Sequence, residues 1–309
     1  MDMGPDWALT MQAQRNAHLT TGLIMAMAGS IAFSGKAIIV KLAYRHGVDA
    51  VTLVMLRMLF ALPLFLCMAW WAGRGKPRIA KRDWLGILGL GFSGYYLASF
   101  LDFWGLEYIS ASLERLILYL NPTLVLVLGW FLYRRKISYH QGVGMAISYA
   151  GVMLVFGHEA ALDGKNAVLG AALVLGSAIS YALYLSYSGQ MVQRLGSLRL
   201  AGWATSVACV LCIAQFAVLR PLSLAQVPEP VIWLSLLNAT ACTAVPVVLV
   251  MMAIERIGSG LTAQTGMIGP MSTLLMGVVL LGEPFNIWIV GGTVLVLSGV
   301  FWVTRAPKV

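Results

Sequence analysis

Five ionisable side chains lie inside long apolar stretches of this 309-residue sequence: Lys36, Arg57, Asp102, Glu114 and Arg115. Each would cost about 2.5–3.5 kcal/mol at the middle of a membrane-spanning helix, so such residues usually pair with one another or border a wet path. We interpret Arg57, Glu114 and Arg115 as candidates for ion pairs or for a gate. The alternative is a structural role in which the long side chains reach the membrane surface.

Polar and aromatic residues accompany these charges at helical spacing. Tyr95, Ser99 and Asp102 share one helix face, and Phe33 and Lys36 share another. A cation for a carboxylate, an acceptor for an amine and an apolar wall together suit a zwitterionic amino acid, and aromatic side chains would stack on the rings. Aromatic belts at the membrane surface are the alternative explanation of the rings. The sequence predicts a substrate cavity lined by Lys36, Phe33, Tyr95, Ser99, Asp102, Tyr119, Ser177, Tyr181 and Tyr184, with Lys36 as its cation.

Two prolines lie at the middle of apolar stretches, Pro122 and Pro270, the second directly after Gly269. Each removes one backbone hydrogen bond and leaves the carbonyl four residues earlier, of Leu118 or Gly266, without its helical partner. We interpret Pro122, Gly269 and Pro270 as hinges between two conformational states, with static kinks as the alternative.

Motifs of soluble catalysis are missing from the sequence. It has no GxxxxGK[ST], GxSxG or HExxH, so ATP hydrolysis and common hydrolase chemistry lack their parts. All four histidines lie at or beyond the ends of the apolar stretches, and Cys209 and Cys212 lie within one. We expect no cofactor, no metal site and no enzymatic activity.

The composition is 60% hydrophobic and only 11% charged, which excludes a water-soluble enzyme and a disordered chain. The predicted fold class is an all-α polytopic membrane protein with ten transmembrane helices. Since a span needs about 20 apolar residues, ten spans leave only short connections. The predicted helices are 19–42, 51–72, 84–106, 110–133, 139–157, 168–193, 200–219, 230–253, 259–281 and 285–304.

The net charge of +9 follows the positive-inside rule, so no nucleic-acid partner is needed to explain it. With a cytoplasmic N-terminus, 14 of the 21 lysines and arginines fall in inner segments and 4 in outer ones. Both termini are therefore predicted to be cytoplasmic. Residues 1–18 and 305–309 would be cytoplasmic tails, and 158–167 an outer linker.

An internal repeat becomes visible when the sequence is shifted by 148 positions. Ten of the 48 residues in 108–155 are identical to their mates in 256–303, and Pro122 meets Pro270. Five spans per half is an odd number, so the halves 19–157 and 168–304 are predicted to have opposite orientations. Inverted repeats are typical of secondary transporters, whose sites lie between the halves near the midplane.

Both halves contain a segment that resembles the EamA family of the drug/metabolite transporter superfamily. The segments begin LEYISASLERLILYLNPTL and IERIGSGLTAQTGMIGPMS, and the second contains the typical LGEP where the first has LYRRK. The resemblance covers about residues 20–304 and is closest to the bacterial aromatic amino acid exporters. It implies ten helices in two inverted five-helix repeats around a central cavity, and export of small metabolites.

The sequence thus predicts a secondary transporter in the inner cell membrane that exports small amphipathic metabolites, with aromatic amino acids as the favoured substrates. Efflux of drugs or lipophilic cations is the alternative within transport. A membrane-embedded lipid-modifying enzyme and a sensor or accessory subunit are the alternatives from other classes. The expected partners are the lipid bilayer and a small-molecule substrate, with the chain a monomer or a dimer.

Overall fold

The computed structural model describes residues 6–134, 137–163, 165–220 and 227–305, and all regular structure in these ranges is helical. The helices of the first half, as labelled from here on, are α1 Asp6–Tyr44, α2 Ala50–Gly73, α3 Lys81–Gly91, α4 Ala98–Leu106, α5 Ala111–Leu118, α6 Asn121–Tyr133 and α7 Tyr139–Asp163. Those of the second half are α8 Lys165–Leu195, α9 Ser197–Leu219, α10 Glu229–Ala239, α11 Val245–Gly266, α12 Ile268–Met276 and α13 Ile287–Arg305. Wider π-helical turns cover Phe92–Leu97, Thr240–Ala244 and Gly277–Leu281.

Side-chain caps explain where two of these helices begin. Asp49 precedes α2, and its carboxylate accepts hydrogen bonds from the backbone N–H and the hydroxyl of Thr52. Ser110 precedes α5, and its hydroxyl accepts from the backbone N–H of Leu113 at 3.0 Å. These caps satisfy donors that a helix N-terminus leaves without an intrahelical partner.

Nine helices within the described ranges are long and apolar enough to cross a membrane. Nine of the ten predicted spans correspond to them one to one, with ends that differ by a few residues in most cases. The predicted span 259–281 differs, because α11 remains helical as far as Gly266 and only the shorter apolar stretch Ile268–Leu281 follows. Nothing in this part of the sequence forces a break before Gly266, since a glycine costs a helix only about 1 kcal/mol.

The chain nevertheless reverses its course along α1 within this segment. Gly22 of α1 packs against Ile257. Nine residues later the chain has returned, because Gly266 packs against Ser30 and the Ser34 hydroxyl donates to the Gly269 carbonyl at 2.9 Å. A straight helix would have carried Gly266 past the level of Gly22.

The predicted linker 158–167 is almost entirely helical, because α7 extends to Asp163 and α8 begins at Lys165. The alanines at 160 and 161 favour helix over loop, which accounts for the difference. The predicted tail 1–18 is helical from Asp6. Residues 1–5 and 306–309 of the predicted tails lie outside the described residues.

Close helix packing recurs at positions that the 148-residue shift relates. Gly144 and Gly151 of α7 pack against the backbone at Gly299 and Gly292 of α13, so these helices run antiparallel. In the same way, Gly22 packs against Ile257, and its mate Gly170 packs against Ile109. Small residues allow this backbone approach without lipid between the helices.

Candidate functional site

A buried ion cluster joins α1, α4 and α5. The Lys36 ammonium lies 2.5 Å from Asp102 Oδ2 and 3.1 Å from Glu114 Oε1. All three residues are less than one tenth exposed. Asp102 Oδ1 and both Glu114 oxygens have no hydrogen-bond partner, although Glu114 Oε1 is close to the ammonium. The cluster therefore contains buried charged groups together with carboxylate oxygens that could accept further hydrogen bonds.

Lys36 was predicted as the cation for a substrate carboxylate, but two protein carboxylates already surround its ammonium. Spacing alone could not reveal this, because the three residues come from three helices. The pairing compensates the charge of Lys36 and leaves little room for a further anion at the same atom.

The two arginines of the predicted charged layer have different surroundings. Arg115 donates from Nε to the Thr273 hydroxyl at 3.0 Å and from Nη2 to the Phe33 carbonyl at 3.1 Å. Arg57 donates from Nη2 to the Ser99 hydroxyl at 2.9 Å and lies over the Phe103 ring, 4.7 Å from its centroid. Arg115 thus connects the two halves, whereas Arg57 lies within the first.

An aromatic cluster holds three of the predicted cavity residues together. The hydroxyls of Tyr95 and Tyr184 are 3.2 Å apart and their ring centroids 5.1 Å apart. Tyr181 stacks on Tyr184 at 5.5 Å. Gly94 faces the Tyr184 ring so closely that a Cβ there would collide with it. The cluster forms a largely apolar surface with hydroxyls at its edge.

The remaining predicted cavity residues are placed separately. Ser177 donates to the Ala98 carbonyl at 2.7 Å and ties α8 to α4. Phe33 is 40% exposed, and its backbone carbonyl accepts a hydrogen bond from Arg115. Tyr119 donates to the Gly266 carbonyl at 2.5 Å, a contact between the halves.

Both predicted hinge prolines lie just after a helix break. The break between α5 and α6 comes before Pro122, and that between α11 and α12 comes before Pro270. The two carbonyls expected to lose their partners are satisfied by side chains. Asn121 Nδ2 donates to the Leu118 carbonyl at 2.7 Å, and Tyr119 donates to that of Gly266. Gly269 lies against the Tyr119 hydroxyl, where a Cβ would be only 2.9 Å from it.

Sequence reasoning missed two π-helical segments at related positions. Phe92–Leu97 interrupts the third predicted span and Thr240–Ala244 the eighth, and their first residues differ by 148 positions. Such turns are frequent at functional sites. Hydrophobic periodicity carries no signal for them, because one extra residue in a turn barely changes the apolar pattern.

A cavity of about 840 Å³ opens at the end of the molecule predicted to face outside. Three glutamates line it, and each accepts from a backbone N–H at a helix start: Glu107 from Ala50 at 2.9 Å, Glu159 from Ser110 at 3.2 Å and Glu283 from Ala111 at 2.7 Å. Neither Glu159 nor Glu283 was predicted to have a role from the sequence, although the LGEP element contains Glu283. Burial raises the pKa of Glu107, and its hydrogen bond from Ala50 opposes that rise.

The described residues contain no group of three or more histidines, cysteines or carboxylates placed to hold a metal ion. The arrangement instead combines a compensated ion cluster, an aromatic surface and helix breaks at related positions. Such groups can bind and release a small polar molecule through non-covalent contacts.

Known proteins similar to this chain are transporters. Residues 20–157 and 168–305 each match the EamA-like transporter family. The uncharacterized transporter YcbK of Bacillus subtilis is 30% identical over 94% of this chain and 96% of its own length. The uncharacterized transporter YetK of the same organism is 23% identical over 94% of this chain and 87% of its own length.

A solved crystal structure shares the fold with a TM-score of 0.62 at 18% identity, covering 92% of this chain and 96% of its own. Both family matches together span nearly the whole chain, and the apolar helices support a multi-pass membrane protein. The chain belongs to the EamA-like transporter family.

Proposed function

We propose that the protein is a secondary transporter that moves small amphipathic metabolites by alternating access through the region between its halves. The observation that carries the proposal is the buried cluster of Lys36, Asp102 and Glu114, whose carboxylates keep unpaired oxygens. A purely structural cluster would be expected to satisfy its acceptors at this depth. Membership of a transporter family supports the same conclusion.

The proposed architecture has ten crossings in two inverted five-helix repeats, with both termini in the cytoplasm. The packing of α7 on α13 supports inversion, because Gly144 and Gly151 are the repeat mates of Gly292 and Gly299 and the two helices run antiparallel. The reversal of the chain between Ile257 and Gly266 supports the tenth crossing. The charge bias of the connections supports the cytoplasmic termini.

Aromatic amino acids are the proposed substrates, and export across the inner cell membrane is the proposed direction. The unpaired oxygens of Asp102 and Glu114 would accept hydrogen bonds from the substrate ammonium group. Tyr95 lies seven residues before Asp102 in the chain, in the π-helical segment that leads into α4. The ring of the substrate would then contact the cluster of Tyr95, Tyr181 and Tyr184.

The helix breaks before Pro122 and Pro270 are the proposed hinges of the transport cycle. Tyr119 and Asn121 keep the freed carbonyls satisfied in this state, so bending there need not expose an unpaired group to lipid. Because the breaks are repeat mates, equivalent bending at each would open opposite faces in turn.

Flux into liposomes containing the purified protein tests the proposal. The screen uses the twenty amino acids and a few cationic dyes, with and without a pH gradient. We expect saturable flux of aromatic amino acids and its loss in Asp102→Asn. Glu229→Gln is the matched control, because Glu229 is an acid at the start of α10, away from the ion cluster, that accepts a hydrogen bond from the Trp233 ring nitrogen at 3.3 Å.

The flux results separate the alternatives. Movement of dyes without amino acids would favour cation efflux, which the unpaired carboxylate oxygens would also accommodate. Undiminished flux in both Lys36→Ala and Asp102→Asn at normal abundance would remove the cluster from the site. Dependence on the pH gradient would point to proton exchange through Asp102 or Glu114, the carboxylates in the cluster.

A further inference from the structure

We propose that Arg57 binds the anionic group of the substrate, so that the transporter selects compounds with a carboxylate and discriminates against equally aromatic amines. This inference rests on the proposed transport function and assigns the substrate class of that site. It places the anion at a different residue from the lysine that sequence spacing favours.

The other two cations of the charged layer are already occupied. Lys36 has two carboxylates within 3.1 Å of its ammonium. Arg115 donates to the Thr273 hydroxyl and to the Phe33 carbonyl. A substrate carboxylate at Lys36 would meet two like charges, and one at Arg115 would have to displace two hydrogen bonds that satisfy buried N–H groups, so both are unfavourable.

Arg57 is the cation of this layer with the poorest compensation. It is 5% exposed, and its Nε has no hydrogen-bond partner. Within the described ranges, no carboxylate lies close enough to form a salt bridge with it. Its polar contacts are the Ser99 hydroxyl at 2.9 Å and the thioether of Met58 at 3.9 Å, a weak acceptor. A buried guanidinium with a free N–H is costly unless an anion binds it during the functional cycle.

The charge balance of the layer agrees with this assignment. Lys36, Arg57 and Arg115 supply three positive charges, and Asp102 and Glu114 supply two negative charges. One substrate carboxylate would neutralise the excess. A lipophilic cation would increase it.

The geometry around Arg57 favours a carboxylate in particular. The Phe103 ring centroid lies 4.7 Å from Arg57 Cζ, and the N–H groups along the edge of the guanidinium are the atoms that would bind a ligand. That edge matches the two oxygens of a carboxylate. Ser99 follows the π-helical segment Phe92–Leu97, and Cys242 of the segment Thr240–Ala244 lies next to Gly35, the chain neighbour of Lys36.

An α-amino acid could reach both charge sites at once. Ser99, which binds Arg57, lies three residues before Asp102 on α4, so the two side chains lie on the same face about 4.5 Å apart along the axis. The substrate carboxylate would contact Arg57, and its ammonium group would contact the unpaired Oδ1 of Asp102.

Three probes that share one ring system test the assignment in proteoliposomes. They are phenylalanine, 3-phenylpropionate without the amine, and phenethylamine without the carboxylate. Flux and competition are measured for the wild type, Arg57→Gln and Arg57→Lys. Ligand-induced shifts of the thermal unfolding midpoint, measured in detergent, report binding independently of flux.

We expect the wild type to prefer both carboxylates over the amine by about tenfold or more, the scale of a hydrogen bond to a charged group. Arg57→Gln should remove most of this preference, and Arg57→Lys should retain part of it. Arg115→Gln is the matched control, because it removes the same charge from the layer but leaves Arg57 in place. Its ratio of carboxylate to amine should stay above that of Arg57→Gln.

The unfavourable outcomes are distinguishable. If none of the three probes moves through or stabilises the wild type, the proposed substrate class fails and this inference fails with it. If the wild type moves phenethylamine as well as phenylalanine, only the role of Arg57 is overturned. The same holds if a folded Arg57→Gln keeps the wild-type preference. If that variant does not fold, an unchanged preference in Arg57→Lys overturns the role of Arg57.

Discussion

Replacing Lys36 with methionine should destabilise the protein by about 3–5 kcal/mol, the cost of breaking a buried ion pair by removing one partner. The Lys36 ammonium contacts Asp102 at 2.5 Å and Glu114 at 3.1 Å, and all three residues are buried. Methionine keeps the length and apolar stem of the side chain, so the loss reports the charge. Both carboxylates would then remain without a cation at this point.

A double-mutant cycle isolates the interaction. Lys36→Met combined with Asp102→Asn removes one charge of each sign, so its cost should be about 1–3 kcal/mol less than the sum of the single variants. Detergent-induced unfolding in micelles is followed by the fluorescence of the ten tryptophans. Lys41→Met is the matched control on the same helix, and at this half-buried position we expect a cost of at most about 1 kcal/mol.

The reasoning is refuted if Lys36→Met costs less than about 1 kcal/mol and the two substitutions are additive. That result would mean that the ammonium is solvated and that the cluster is not an interior ion pair.

Three further predictions concern packing, a helix break and pH. Gly144→Leu should disrupt the packing of α7 on α13 and lower the unfolding midpoint by several degrees, whereas Gly142→Leu, at a position with open space, should not. Asn121→Leu should cost about 1–3 kcal/mol in detergent unfolding, because the Leu118 carbonyl loses its donor; an unchanged stability would contradict this. Burial raises the pKa of Glu107 above 4.5, so stability should fall as pH rises through the raised value, and Glu107→Gln should flatten this dependence in unfolding measured between pH 4 and 7.

Much of the fold could be predicted from the apolar composition and from the positions of the prolines. The spans could be located because membrane depth demands long uninterrupted apolar stretches, which are visible in one sequence. The breaks before Pro122 and Pro270 were foreseeable because proline cannot donate its helical hydrogen bond. The donors that replace the lost bonds, Asn121 and Tyr119, were not, because either could have faced another direction.

The site was predictable as a set of residues but not as a set of contacts. Burial cost identifies Lys36, Arg57 and Asp102 in any apolar stretch. Their pairing depends on helix rotation and approach, which a single sequence leaves open. The sequence therefore favoured Lys36 as the anion site, whereas the distances pair Lys36 with two acids and leave Arg57 Nε unpaired.

Cysteine accessibility at position 99 tests the central claim, that substrate passes the cluster with access from each side in turn. Ser99→Cys is introduced after Cys67, Cys209, Cys212 and Cys242 are replaced by alanine, and membrane-impermeant thiol reagents are applied to either face of oriented vesicles. The account predicts that the new thiol reacts from both faces and that a transported amino acid slows both reactions. Reaction from one face only, or reaction that substrate leaves unchanged, would contradict it.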